Sequence, residues 1–463
     1  MTTVNATASP VRGPVRPDER ALAPDLARGF MLLLIALANT PWYLWAVDER
    51  SIAGAHPIGG SVADRIVQFV MIVAVDGRIY PMFALLFGYG LIRVYDRQRE
   101  AGATEKAAAA VLRRRHLWLL VFGFVHCLLL FMGDILAPYG LVGLLMGWLL
   151  LRRSDRAMRI TAWVLVGLSG ALMLLSALGS ALAALAPPEV GGESPGGVPS
   201  ALHDSFAEPN FFAAMVDRVS VWPGMVILQA LGVVVPAMVV VGMVIGRLRM
   251  LERADHYRRT LVWTAVVGIG VAWVAGLPEA MGHVRLIEMS PLVEGSLSGV
   301  RQFSGVFGGA GYAALFGLIG YAMSRRPRRG VVTTAIAAVG KRSLSCYLAQ
   351  SVICAPLLAA WGLGLGGVFG SAQMAAFAVG VWLVTAVGAY ALERADRRGP
   401  AEVLLRGLTY RGRPRSDSAA PATAGAQPTA FGAPGDPTAP GDPTAPAQPP
   451  TPPADGPTAP PTR

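Results

Sequence analysis

The chain has 463 residues, 53% of them hydrophobic and 15% charged, with a mean hydropathy of +0.49. A soluble chain carries about 25% charged residues, so this excess of apolar surface needs lipid to cover it. The formal net charge of +11 lies in arginine clusters between apolar runs, a membrane-topology pattern that excludes a nucleic-acid surface.

In chain order, residues 1–23 read as a disordered basic arm with Arg12, Arg16 and Arg20. The arm lacks the apolar core of a cleavable signal peptide. A first span at 26–47 ends in Trp42, Tyr43 and Trp45, aromatics of the kind that settle at a membrane interface. Residues 62–94 exceed one straight crossing of about 20 residues, yet fall short of two with a turn. Asp76-Gly77-Arg78 and Pro81 interrupt them. The expectation is a re-entrant or interfacial piece at 62–75 and a second span at 79–94. Apolar runs then alternate at 117–132, 135–151, 160–185, 225–245, 261–277, 303–323, 344–361 and 372–392.

Arginine-rich loops fall on one side of this count and the acidic 187–223 loop on the other. The positive-inside rule then gives about ten spans with both termini cytoplasmic. The runs are continuous and show no strand-like alternation, so the fold class is all-α, a polytopic transmembrane bundle. Residues 331–339 read as an interfacial helix before the ninth span. Residues 413–463 are rich in Pro, Ala and Thr, with PTAP repeated, and are expected to be a disordered tail. Cys127, Cys346 and Cys354 lie in apolar segments without a CxxC pair and read as small buried hydrophobes.

Ionisable groups inside spans are costly and are functional candidates by default. His126, in the third span, reads as a general base or acyl-carrying nucleophile, or as one end of an interhelical hydrogen bond. Asp134, at the following hairpin tip, can orient a histidine, bind an acceptor or cap the next helix. Tyr139, farther along that helix, reads as facing the same side. Asp76 and Arg78 flank Gly77, and either pair with each other or leave Arg78 for an anionic substrate group. Asp64 raises the same question nearer the surface. Tyr347, Gln350 and Ser351 share one helix face, for substrate contact or for packing. No Walker, HExxH or GxSxG motif and no metal-spaced cluster occurs, so neither a metal nor a resident cofactor is expected.

Four blocks resemble the YeiB-like family of bacterial membrane proteins, defined by a C-terminal domain of unknown function 418. They are Asp25-Leu26-Ala27-Arg28-Gly29-Phe30 with Asn39; Asp76-Gly77-Arg78-Ile79-Tyr80 with Phe87-Gly88-Tyr89-Gly90; Arg113–Arg115 with Gly123, His126, Gly133-Asp134 and Tyr139-Gly140; and Gly340-Lys341-Arg342-Ser343 through Tyr347, Gln350 and Ser351, with Gly399-Pro400-Ala401-Glu402. Where the family pattern has Asn-Tyr and Glu-Trp, this chain has Cys346-Tyr347 and Glu402-Val403. The resemblance implies an N-terminal transmembrane region over 24–324. It implies a C-terminal part of that domain over 325–412, the domain itself beginning near 230.

The opening block also looks like those of two membrane acyltransferase groups, acyltransferase-3 and heparan-alpha-glucosaminide N-acetyltransferase. In the second, a histidine shortly precedes Ala-Asp, as His56 precedes Ala63-Asp64 here. That likeness implies transfer of an acyl group from cytoplasmic acyl-CoA to an envelope acceptor at a bacterial inner membrane. The catalytic candidates are His126, Asp134 and His56. Substrate contacts are expected at Asp76, Arg78, Asp64, Tyr139, Tyr347, Gln350 and Ser351, and donor contacts at Asp25, Arg28, Asn39, Lys341 and Arg342. The alternative is a small-molecule or lipid transporter with Asp76, Arg78, His126 and Asp134 along its pathway.

Overall fold

The computed structural model describes residues 22–47, 49–50, 55–185, 201–325 and 330–410; the expected basic arm, apart from its last residues, and the Pro/Ala/Thr-rich tail lie outside the described residues. The described residues form fifteen α-helices and no named strand. They are α1 (Leu22–Asn39), α2 (Val62–Ala74), α3 (Ile79–Glu100), α4 (Glu105–Leu129), α5 (Leu136–Leu150), α6 (Asp155–Ala184), α7 (Ala201–Ala207), α8 (Phe211–Leu231), α9 (Val234–Leu248), α10 (Arg258–His283), α11 (Pro291–Ser324), α12 (Val331–Lys341), α13 (Ser343–Leu358), α14 (Ser371–Arg394) and α15 (Pro400–Tyr410). Seven helical segments are long and apolar enough to cross a membrane, with α2 and α3 counted as one. Shorter apolar helices such as α5, α9 and α13 complete the bundle. This is a multi-pass membrane protein. Large apolar side chains face outward from it, among them Trp163 at 75% exposure and Leu174 at 66% on α6, as lipid-facing helices require.

Short polar residues set where the helices start. Ser61 and Asp64 form a capping box on α2, the Ser61 Oγ accepting from the Asp64 N–H and Asp64 accepting from the Ser61 N–H. Thr104, Ser154 and Asn210 cap α4, α6 and α8. The break between α2 and α3 falls at Asp76-Gly77-Arg78, as the sequence predicts, with Gly77 in the left-handed region at φ +76°. Close helix contact depends on small residues. A Cβ on Gly88 of α3 would stand 2.0 Å from the Val239 carbonyl oxygen, and one on Gly242 of α9 2.0 Å from that of Leu85.

Two expectations need correction. The 187–223 loop is partly helical: it contains α7 and the first half of α8, whose Pro223 lies inside the helix. The expected span at 225–245 is divided between α8 and α9, with Gly232 at the junction. The 331–339 helix is present as α12, and its buried face includes Ala337, Ala338 and Val339. A Cβ on Gly340 would overlap the Asp25 carbonyl, so α12 lies tight on α1.

Arginines near the ends of α3 and α9 pair with carboxylates of neighbouring helices. Arg93 reaches Glu252 at 3.1 Å, Arg247 lies 3.6 Å from Asp96 and 3.8 Å from Asp155, and Arg249 reaches Glu100 at 2.7 Å. These pairs join the C-terminal ends of α3 and α9 to the start of α6. Three buried cysteines carry no disulfide.

Candidate functional site

The residues expected to form one site divide between two centres, with no hydrogen bond or ion pair joining them among the described residues. Both lie away from the arginine-rich ends. The segment after α1 serves both, bringing Thr40 and Tyr43 to one and His56 to the other.

The first centre is built on the α4–α5 hairpin and on α13. His126 occupies the last turn of α4 and is 2% exposed. Its Nδ1 lies 3.0 Å from Asp134 Oδ1 and its Nε2 lies 2.8 Å from Ser351 Oγ. Asp134 makes two contacts at once. While Oδ1 holds the imidazole, Oδ2 accepts the Ala137 N–H at 2.8 Å in the first turn of α5. With Nδ1–H donating to a carboxylate, Nε2 carries the lone pair and accepts from the Ser351 hydroxyl. Gly123 makes this possible, since a Cβ there would sit 2.2 Å from Asp134 Oδ2.

Ser351 faces a cavity of about 20 Å³, bordered by Asn39, Thr40, Tyr43, Tyr347 and Gln350, which is room for one water. The Tyr43 hydroxyl and Thr40 Oγ1 are buried without a hydrogen-bond partner in the structure. Tyr43 packs on Phe131 and Phe206 at centroid distances of 5.5 and 4.3 Å, so an aromatic cluster closes one side. The Tyr347 ring stands 5.0 Å from that of His126, and Gln350 donates to the Leu32 carbonyl at 3.4 Å.

The second centre sits at the α2–α3 break. His56 Nε2 is 2.7 Å from Asp76 Oδ2, and the buried Nδ1 has no hydrogen-bond partner. Arg78 is fully buried. Instead of pairing with the Asp76 carboxylate it donates to the backbone carbonyls of Asp76 and Ala272, and so closes the turn onto α10. Three participants were not among the sequence candidates. Arg301 on α11 donates from Nε to Glu279 on α10 at 2.8 Å, and the His283 ring lies 6.1 Å from that of His56. Glu279, His283 and Arg301 were assigned to loops because the expected spans ended at 277 and began at 303. The unbroken helical character of 258–283 and 291–324 was the signal that could have found them. The glycine face of α11 admits the turn, since a Cβ on Gly305 would lie 2.1 Å from the Gly77 carbonyl oxygen.

Other candidates are placed elsewhere. Asp64 Oδ1 accepts the Ala372 N–H at 2.8 Å, so this carboxylate caps α2 and also binds the start of α14. Tyr139 donates to the Tyr80 carbonyl at 2.7 Å and joins α5 to α3. Asp25 and Arg28 pair at 3.6 Å at the start of α1, and Arg28 also donates to the Leu86 carbonyl at 3.3 Å. Lys341 and Arg342 both engage Glu393, and Arg342 also donates to the Arg397 carbonyl. Asn39 leaves this donor group. It is fourteen residues beyond Asp25 on α1, about 21 Å along the axis, and borders the Ser351 cavity.

Residues 245–412 match the family described as a protein of unknown function, DUF418. Uncharacterized protein YeiB of Escherichia coli (strain K12) is 29% identical over 410 residues, covering 85% of this chain and 97% of the relative. The chain is similar to YeiB over most of its length. Uncharacterized protein YxaH of Bacillus subtilis (strain 168) is 24% identical over 416 residues, covering 86% of this chain and 96% of that one. An uncharacterized 39.9 kDa protein of Bacillus acidopullulyticus is 35% identical over 133 residues, 29% of this chain and 35% of its own. The YeiB-like blocks contribute to both centres: the second block holds Asp76 and Arg78, the third His126 and Asp134, and the fourth Ser351. Within the DUF418 region lie Glu279, His283, Arg301 and Ser351. The fourth block closes on itself, as Glu402 Oε1 accepts the Leu344 and Ser345 N–H groups at 2.8 and 3.1 Å at the start of α13.

Proposed function

We propose that this protein is an acyltransferase of the bacterial cell membrane, moving an acyl group from acyl-CoA on the cytoplasmic side to a hydroxyl or amine of an envelope acceptor. The observation that carries the reading is the His56–Asp76 pair at 2.7 Å with His56 Nδ1 buried and unpartnered. A carboxylate on Nε2–H holds the neutral tautomer whose Nδ1 lone pair can take a proton from an acceptor. The same carboxylate stabilises the imidazolium as it forms, and the nearby Arg301–Glu279 pair gives polar groups to an acceptor otherwise surrounded by apolar helices. The likeness of His56 and Ala63-Asp64 to one acetyltransferase group supports the same assignment. For the donor, Arg28 and the Lys341-Arg342 pair lie at the end that the arginine pattern reads as cytoplasmic, where coenzyme phosphates would compete with Asp25 and Glu393 for them.

The test is purified full-length protein in lipid nanodiscs with acetyl-CoA as donor and hydroxylamine as a small acceptor, followed by release of free thiol and of acetohydroxamate. Wild type is expected to turn over and His56→Ala to lose activity on the order of 10²-fold or more while still unfolding cooperatively, at a melting temperature lowered by the orphaned Asp76 carboxylate. Equal rates for wild type, His56→Ala and protein-free nanodiscs would sink the proposal. A proton-coupled transporter is the second reading, favoured by the Arg301–Glu279 and His56–Asp76 pairs inside the helix bundle. It predicts a pH-gradient-dependent flux in vesicles with no thiol release.

A further inference from the structure

We infer that Ser351 is a covalent way-station, a serine nucleophile that takes the acyl group before it reaches the acceptor. The inference rests on the acyl-transfer reading for its donor, but on separate residues. Ser351, His126 and Asp134 form a continuous hydrogen-bond chain, with Oγ to Nε2 at 2.8 Å and Nδ1 to carboxylate at 3.0 Å. All three are buried, at 7%, 2% and 2% exposure. This is the nucleophile–base–orienter order that activates a hydroxyl on unrelated folds. Both ring nitrogens are hydrogen-bonded, and with the Nδ1 proton directed at Asp134 the Ser351 hydroxyl is the donor to Nε2.

A second feature points to a ligand. Ser351 borders the cavity while His126 stands behind it. In the same cavity wall, Tyr43 and Thr40 present buried hydroxyls with no partner in the structure. Unspent donors beside an activated hydroxyl are suited to a carbonyl oxygen that gains charge as it is attacked.

The step balances without any further reagent. Ser351 Oγ attacks the thioester carbonyl carbon as His126 Nε2 takes the hydroxyl proton. The carbon–sulfur bond breaks, the leaving thiolate takes that proton from His126, and an ester on Ser351 remains. In the second half an acceptor hydroxyl or amine attacks the ester carbonyl carbon and gives its proton to His126 Nε2. Ser351 Oγ leaves with a proton from His126, restoring the starting state. Asp134 is a positioning residue throughout.

The experiment uses full-length protein in nanodiscs with p-nitrophenyl acetate and, separately, labelled acetyl-CoA, quenched in acid and mapped by peptide mass. Acetyl ester on Ser351 is expected, lost in Ser351→Ala, reduced on the order of 10²-fold or more in His126→Ala, and recovered as a thioester in Ser351→Cys. Cys354→Ala, which removes the other nucleophile at the cavity, should keep the label. Melting temperatures show that each variant is folded. Ester on Ser351 that is never passed to hydroxylamine is a dead-end acylation and overturns the way-station as well as the proposed acceptor reaction. Transfer to hydroxylamine with no modification of wild-type Ser351 by either donor overturns the way-station and leaves the His56 reading standing. No modification and no transfer overturns both.

Discussion

Asp134→Asn is the substitution that most directly separates chemistry from packing. The carboxylate serves two donors at once, the Ala137 N–H at 2.8 Å and His126 Nδ1 at 3.0 Å. An amide has one acceptor oxygen and must choose. If the oxygen stays with Ala137, the amide N–H₂ faces His126 and forces the tautomer with the proton on Nε2. That nitrogen then donates to Ser351 and cannot accept its proton. If the oxygen turns to His126, the amide opposes the Ala137 N–H and the α5 end loses its cap. Either arrangement costs about 1–3 kcal/mol of stability, the scale of one cap or one unmade buried hydrogen bond. The loss of base function is larger. A carboxylate-to-amide change in such a triad lowers turnover on the order of 10⁴-fold, or about 5.5 kcal/mol of barrier. The assay is rapid-quench acylation of Ser351 by p-nitrophenyl acetate beside thermal unfolding in detergent. A modest drop in melting temperature with acylation nearly abolished is the expected pair of results. Acylation within tenfold of wild type in a folded protein would show that Asp134 does not set the His126 tautomer.

Three substitutions test the frame around the two centres. Gly77→Ala adds a side chain at φ +76° with its Cβ 3.3 Å from Arg301 Nη1; it should cost about 1–2 kcal/mol by thermal unfolding and lower acyl transfer with it, and a neutral result would remove the strain attributed to the turn. Asp64→Ala should destabilise by about 1–2 kcal/mol through the two helix starts it caps, while the folded fraction keeps its rate of hydroxamate formation; a folded but inactive variant would return Asp64 to the substrate contacts. Glu402→Ala strips the Leu344 and Ser345 N–H groups of their acceptor, so faster amide hydrogen exchange is expected in the first turn of α13, and unchanged protection there would contradict the capping role.

Some of the site was legible in the sequence and some was not, and the dividing line is physical. His126 and Asp134 could be singled out because a titratable group in or beside an apolar run is costly to bury, and His56 entered through its resemblance to an acetyltransferase block. Their partners could not be assigned. Ser351 is 225 residues from His126, and a serine on an apolar helix face has the same local pattern whether it packs or donates to an imidazole. Asp76 and Arg78, two apart, invited an ion pair. Instead, the left-handed turn at Gly77 sends the carboxylate to His56 and the guanidinium to backbone carbonyls. Glu279, His283 and Arg301 were missed because hydropathy marks where lipid begins and not where a helix ends.

The sequence by itself determined that this is an all-helical membrane protein. It also determined where its apolar runs, arginine-rich ends and principal break lie. Lipid leaves the backbone no alternative to the helix, and charge is excluded from the bilayer wherever it is unpaired. Only the tertiary structure decided that the expected single site is two. Hydrogen-bond direction across helices depends on rotation and depth within the bundle. Those are set by contacts such as Gly88 on α9 and Gly305 on the Gly77 turn, which no local pattern in the chain encodes.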